Sequence, residues 1–540
     1  MNLLTVVTFL PAVGAVALAL VPRDEARQHR ALALVISLAA MGASFGLWFG
    51  FDASPGAPEF QFEQVVPWVP SIGIGYHVGL DGVALLLVML TTILTPIVIL
   101  SAFKAVQERV KEFMIALLVL ETAMIGTFAA LDLVLFYVFW ELILFPMYLL
   151  IGVWGSQNRL YATVKFFLYT FAASVLMLLA ILYVYFHLDP VLVQRPTFDY
   201  LDVRRALQVS PEAGRWLFLA FALAFAVKVP MFPLHTWLPD AHTEAPTAGS
   251  VILAGVLLKM GTFGFFRYAM PLFPEAALEF RTVIAVLAVV GILYGALMSL
   301  VQTDMKRLVA YSSVSHLGFV MLGLMAISPE GLTGGVYQML NHGVSTGALF
   351  LLVGILYERR HTRLISEYGG IAKQVPMIAT VFVIVTLSSV GLPGTNGFVG
   401  EFLILSGTWL SRLGFSAAFA TLAALGVILG AVYMLLLVER VFFGKLTNEH
   451  NRHLPDLSVR EGFVLAPMIA LIVVMGLVPQ PFLAPAKPAV DRLVRRFQAV
   501  EERLGKGPQV GTDTTAIGAR AALPRPPAAL PALPAVPEVH

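Results

Sequence analysis

The chain has 540 residues, of which 58% are apolar and only 13% charged. That charged share is about half of what soluble proteins carry, so polar surface is too scarce to cover a water-exposed globule, and a membrane protein is implied. A net charge of +2 gives no nucleic-acid footprint, and the lack of cysteine excludes disulfides, thiolate-held iron–sulfur clusters and a cysteine nucleophile.

The apolar runs are continuous rather than alternating, which selects helices over a membrane β-barrel. In chain order they fall near 3–21, 31–51, 80–103, 112–130, 132–153, 164–187, 215–237, 246–270, 281–301, 307–327, 332–357, 376–408, 417–443 and 462–479. The expected fold is therefore an all-α polytopic membrane protein of about fourteen transmembrane helices of roughly twenty residues each. No Lys or Arg precedes the first run, whereas Arg23, Arg27 and Arg30 follow it. A secretory signal has the reverse flank, so 1–21 reads as a retained span with its N-terminus outside. With that orientation the inner connections carry 18 Lys and Arg and the outer ones 7, Arg267 among the latter. This asymmetry obeys the positive-inside rule, although the 8 such residues after position 480 lie on the outer side and work against it.

Two runs are interrupted. Pro230, Pro233 and Pro239 fall in and after the seventh, and Pro393 with Gly394 cuts the twelfth. Broken backbone survives at membrane depth only where protein or a water-filled cavity satisfies it. Breaks five helices apart, with Pro230 and Pro393 separated by 163 residues, suggest two inverted five-helix repeats, helices 4–8 and 9–13, as in secondary transporters. The expected organisation is a three-helix segment (1–108), a first repeat (109–275), a second inverted repeat (276–445), a last span (446–485) and a terminal region (486–540). The terminal region reads as an amphipathic helix over 486–504, with Val490, Leu493, Val494 and Phe497 on one face lying on the membrane surface, followed by a Pro- and Ala-rich disordered tail.

Seven ionisable residues are expected to lie buried within the membrane: Glu121, Glu141, Lys228, Lys259, His316, His342 and Glu401. A charge at the bilayer centre costs at least ~2.5–3.5 kcal/mol, so these groups should face the bundle interior and meet one another or water. Lys259 sits roughly 18 Å from either end of its helix and cannot reach water by snorkelling. A single buried His is as readily a packing hydrogen bonder as a relay member, and Glu121 reads equally as a structural partner. Asp132 suits the N-cap of the fifth helix. His235 and His242 flank the Trp237–Asp240 stretch at the inner end of helix 7, where a loop turn competes with a role at a proton entrance. Acids, lysines and histidines in series suit proton transfer. No metal centre is expected, since Cys and His-x-x-x-His are absent, and the glycines at 73–79 fall in a loop rather than a dinucleotide-binding turn.

The stretches FYVFWELILFPMYLLIGVWG (136–155), FALAFAVKVPMFPLHTWLPDAHTEAPTAGSVILAGVLLKMG (221–261), YSSVSHLGFV (311–320), QMLNHGVSTGALF (338–350) and GLPGTNGFVGEFLIL (391–405) resemble the antiporter-like membrane subunits of respiratory complex I, the NADH:quinone oxidoreductase. Cation/proton (Na⁺/H⁺) antiporter subunits and chains of photosynthetic-type complex I share parts of these motifs and give the alternative readings. The resemblance implies proton translocation driven by redox chemistry in other subunits. It assigns the channel carboxylate to Glu141, its partner to Lys228, the central lysine to Lys259, the exit residue to Glu401 and the polar axis to His316 and His342. Glu121, His235, Asp240 and His242 take supporting positions. It also implies no cofactor in this chain, with NADH, FMN, iron–sulfur clusters and quinone in companion subunits. The implied partners are other membrane-arm subunits, especially two sister antiporter-like chains, and lipids. The implied location is the inner (cytoplasmic) membrane, with both termini on the outer (periplasmic) side. One sister chain carries a long lateral helix, which the short amphipathic stretch here does not match.

Overall fold

A computed structural model describes residues 2–195 and 197–505. The first two helices are α1 (Leu3–Leu20) and α2 (Ala26–Gly50), followed by strands β1 (Gln61–Val69) and β2 (Ile74–Leu80). Then come α3 (Gly82–Ala105), α4 (Val110–Ala129), α5 (Leu133–Trp154) and α6 (Arg159–Tyr185). The short α7 (Tyr200–Ala206) precedes α8 (Pro211–Lys228), α9 (Trp237–Glu244) and α10 (Thr247–Leu272). The second half holds α11 (Pro274–Leu300), α12 (Met305–Ala326), α13 (Pro329–Arg360), α14 (Pro376–Ser389), α15 (Asn396–Trp409), α16 (Ser416–Phe442), α17 (Val459–Leu477) and α18 (Lys487–Arg503).

Twelve helices among the described residues are long and apolar enough to cross a membrane. The two interrupted stretches, α8–α9 and α14–α15, fall outside that number: α8 has 18 residues but carries Glu212, Arg215 and Lys228, and α14 and α15 have only 14 residues each. Local sequence explains the helix starts. Asp132 Oδ1 accepts the amides of Val134 and Leu135, so it caps α5. Asp81, Asp304 and Ser328 cap α3, α12 and α13 in the same way, and Ser458 with Glu461 forms a capping box on α17.

Burial is graded. The apolar windows of α10, α12 and α13 lie wholly inside the chain, whereas that of α2 is only 28% buried. The bundle thus supplies its own interior, where polar side chains can be held away from lipid. The outermost helices present apolar surface outward.

At one end, β1 and β2 pair antiparallel, with Val65 opposite His77. The glycines at 73–79, expected in a loop, therefore lie largely in a strand that leads into α3. An antiparallel hairpin lacks the parallel crossover a dinucleotide site needs. The same end gathers Ala130, which accepts from the Tyr268 hydroxyl at 2.8 Å, and Leu131, whose amide donates to His77 O at 2.8 Å. The apolar face of α18 is also located here, and it does not face lipid: Val490, Leu493, Val494 and Phe497 are buried in the body of the chain. The expected Pro- and Ala-rich tail beyond residue 505 lies outside the described residues.

Candidate functional site

The first interruption leaves α8 at Lys228 and resumes helix at Trp237. Its freed polar groups are satisfied by protein: the Trp237 indole N–H donates to the Val227 carbonyl at 2.9 Å. Gly261 permits α8 and α10 to touch, because a Cβ there would sit 2.6 Å from the Phe225 carbonyl oxygen and 2.8 Å from the Val229 nitrogen. The end of α8 is thereby set against α10 two residues past Lys259.

Lys259 is fully buried. It lies between two π-helical segments of α10, Leu253–Leu257 and Phe265–Ala269. A π-bulge displaces the regular hydrogen-bond ladder, and here the Lys259 ammonium donates to the carbonyl of Ala254 within the first bulge. Its other contact is His342 Nδ1 on α13, at 2.6 Å. It forms no ion pair among the described residues.

From His342 the polar groups continue into the second half. The rings of His342 and His316 lie 5.8 Å apart. His316 Nδ1 is 3.4 Å from Glu401 Oε1, and its Nε2 is 3.4 Å from Ser389 Oγ. Gln338 donates to the same Glu401 oxygen at 3.2 Å. The structure thus brings Lys259, His342, His316 and Glu401 into one enclosed row.

The second interruption shapes the far end of the row. Gly391 has φ +72°, a left-handed conformation that suits glycine, and a Cβ there would meet Glu401 Oε2 at 2.8 Å. Ser388, Ser345 and Asn396 close a small hydrogen-bonded cluster across the break, with Ser345 Oγ to Ser388 Oγ at 2.7 Å. Backbone bonds close the turn itself, the Leu392 amide donating to the Leu387 carbonyl and the Thr395 amide to the Leu392 carbonyl, each at 3.0 Å. Pro393 and Gly394 occupy the turn between α14 and α15, as Pro230 and Pro233 occupy the turn after α8.

The other expected residues stand apart from the row. Lys228 Nζ has no hydrogen-bond partner among the described residues and lies 4.8 Å from the centre of the Trp140 ring, in cation–π range. Glu141 faces a groove of about 510 Å³ on the flank, among Leu144, Phe145, Tyr148, Val164, Phe167 and Phe171. Glu141 and Lys228 do not make a direct ion pair here; Oε1 of Glu141 is also unpartnered. Glu121 is fully buried on α4.

Asp240 pairs with Lys165 at 2.7 Å and Arg307 at 3.7 Å. His235 and His242, read at the sequence level mainly as turn residues, are both buried: His235 packs against Tyr294, and His242 belongs to α9 and stacks on Phe350 at 4.6 Å. Near them opens a cavity of about 1040 Å³ at the end opposite the hairpin, with Lys104, Glu108, Lys306, Glu358, Arg460 and Glu461 in its lining. Lys306, assigned by sequence to an inner connection, is buried and donates to the Ala245 carbonyl. No side-chain group with metal-holding geometry occurs among the described residues.

A bundle with two broken helices and an enclosed Lys–His–His–Glu row defines an antiporter-like polytopic membrane protein. Residues 130–427 match the family model described as NADH:quinone oxidoreductase/Mrp antiporter, TM, and the chain belongs to that family. It is 46% identical over 519 residues to the NADH-quinone oxidoreductase subunit M of Rhodobacter capsulatus, covering 92% of this chain and 97% of that one. It superposes on a chain of respiratory complex I from Thermus thermophilus with TM-score 0.82 at 33% identity, covering 92% of this chain and 99% of that one. A chain of the Mrp complex from Dietzia shares the fold alone, with TM-score 0.75, 19% identity and coverage of 93% of this chain and 55% of that one.

Proposed function

We propose that this chain is a proton-translocating membrane-arm subunit of an NADH:quinone oxidoreductase. The observation that carries the reading is the enclosed row Lys259–His342–His316–Glu401, held by spans that the chain itself buries. Protons enter from the inner side near the α8–α9 break, are held at Lys228 and Lys259, and leave through Glu401. Lys259 hands a proton to His342 along the 2.6 Å contact. The 5.8 Å ring separation between the two histidines is one that a single water can bridge, and His316 then faces the Glu401 carboxylate. Glu141 and Lys228 form the switchable pair of the first repeat, related by inverted symmetry to the second.

Conformational and electrostatic coupling from neighbouring subunits drives the cycle. The companions are the two sister antiporter-like chains and the subunits that hold NADH, FMN, iron–sulfur clusters and quinone. The complex sits in the inner membrane, with both termini of this chain on the outer side.

The test uses inverted membrane vesicles containing the complex with this chain wild type or Glu401→Gln. NADH-driven acidification should vanish in the variant while the subunit stays assembled. Transport that requires Na⁺ and survives without NADH would replace the reading with a cation/proton antiporter.

A further inference from the structure

Arg267 belongs to none of the groups discussed above. Sequence placed it in an outer connection, yet it is only 3% exposed, in the last turns of α10 at the hairpin end. Its guanidinium lies 4.8 Å from the Phe60 ring and 5.0 Å from the Phe263 ring. These aromatic faces hold the planar group, which leaves its N–H edges to seek acceptors in the plane. One edge is used: Nη2 meets Asp81 Oδ1 at 2.5 Å. That oxygen is also occupied in capping α3 through the Ala84 amide at 2.8 Å. Nη1 finds no acceptor among the described residues.

The Arg267 side chain lines a small cleft of about 50 Å³. The guanidinium groups of Arg204, Arg267 and Arg492 line it against two carboxylates, Glu59 and Asp81. One carboxylate is divided between two arginines: Arg204 grips Glu59 bidentately at 2.5 and 2.7 Å, and Arg492 approaches it at 3.8 Å. Buried or half-buried guanidiniums in excess over their acceptors call for an anion. A single water needs about 10–15 Å³ by this kind of measure, so the cleft holds the equivalent of about four waters, the size of one tetrahedral oxyanion. Its level also fits, because α10 ends where a membrane helix meets the headgroup layer.

We infer that this cleft binds a phosphate-type oxyanion, either the phosphodiester of an anionic lipid headgroup or free phosphate, with Arg267 as its floor and Arg204 and Arg492 as its walls. The anion then clamps α18, which carries Arg492, onto α10 and the loop before the hairpin. This site is independent of the proton row and goes beyond the proposed function.

The test uses the intact, delipidated complex and follows hydrogen–deuterium exchange of residues 487–497. One arm adds inorganic phosphate, the other phosphatidylglycerol in nanodiscs, each against a matched neutral control. At ten times the half-saturating concentration the bound anion should slow local opening about tenfold. Slowing by phosphatidylglycerol alone identifies a lipid headgroup; slowing by inorganic phosphate identifies free phosphate. Arg267→Lys and Arg492→Gln should each weaken the protection. Arg492 lies at the accessible wall, so its variant decides the matter if the Arg267 variant fails to assemble. The inference is overturned if neither probe protects the wild type, or if protection is unchanged in Arg492→Gln.

Discussion

Replacing Lys259 by Met separates a proton carrier from a structural strut. Met nearly matches the lysine in length and volume, so it opens little cavity. It leaves two groups without their partner, the Ala254 carbonyl and His342 Nδ1. Each costs about 1–3 kcal/mol when left unpaired in a buried place. Against this stands the burial of an ammonium with no ion pair, a penalty of several kcal/mol that Met removes. The two contributions oppose each other at similar size, so assembly and thermal stability should change little. Coupled pumping should fall to background, because the titratable group that joins α10 to His342 is gone. Lys259→Arg sharpens the test: it keeps a positive charge but hardly deprotonates, so it should also pump poorly. Subunit assembly would be read on native gels and pumping by dye quenching in inverted vesicles with NADH. Normal pumping by either variant would refute the relay, and loss of assembly in Lys259→Met would make the residue structural.

Three further outcomes are expected. Gly391→Ala forces a side chain onto a φ of +72° and into Glu401 Oε2, so it should cost about 1 kcal/mol or more in stability and lower pumping, measured by thermal unfolding and vesicle acidification. Glu141→Ala should abolish pumping whereas Glu141→Asp, one methylene shorter, should keep part of it in the same vesicle assay; near-normal pumping by the Ala variant would remove Glu141 from the path. At the hairpin, burial pushes the His77 imidazole down, but Asp199 and Glu63 at its two nitrogens more than reverse this and raise it above 6.5. A raised folded-state value stabilises fully below pH 6.5 and loses that stabilisation as pH rises through the folded value. Opening free energies of residues 61–80 from hydrogen exchange should therefore fall with rising pH in the wild type and be flat in His77→Gln.

Much of the architecture was legible because its signals are local. Apolar run length set the spans, Asp132 announced its cap, and proline and glycine marked both breaks. A lysine or carboxylate inside an apolar run also stands out in one dimension, which is how Lys259, Glu401 and the histidines were found. What failed was everything that depends on what lies across from a residue. Arg267 and Lys306 sit at the ends of apolar runs, where hydropathy assigns them to water, yet neighbouring elements cover both. The hairpin was missed because Val65, Val66, Trp68, Ile74 and Tyr76 form strands too short for the helix periodicity being sought, and two of them, Val65 and Trp68, remain more than half exposed. Sequence could name Glu141 and Lys228 as partners but not how far apart they stand; in the structure they make no direct ion pair. The amphipathic pattern of α18 was correctly seen, but amphipathicity specifies only an apolar surface to cover its face, and protein serves as well as lipid.

Lys228 stands outside the Lys259–Glu401 row, and in the proposed proton path this has a consequence for coupling. A proton path unbroken from one side of a membrane to the other would dissipate the gradient it builds, so at least one junction must open in every state. In the proposed path that junction lies between Lys228 and Lys259. Lys259, His342, His316 and Glu401 are close enough to form one segment, whereas Lys228 ends in an unpartnered ammonium over Trp140 and Lys259 makes its contacts on the far side, toward His342. The elements around that junction are irregular: α8 stops there, its Val227 carbonyl accepts from the Trp237 indole rather than from a continuing helix, and α10 carries π-helical segments on both sides of Lys259. A regular α-helix resists a local shift because each residue's hydrogen bond constrains the next turn; a bulge lets one turn slide at small cost. The sequence places its irregular backbone at the junction where the path is interrupted and spares the segment from His342 to His316, carried on the long, unbroken α13 and α12.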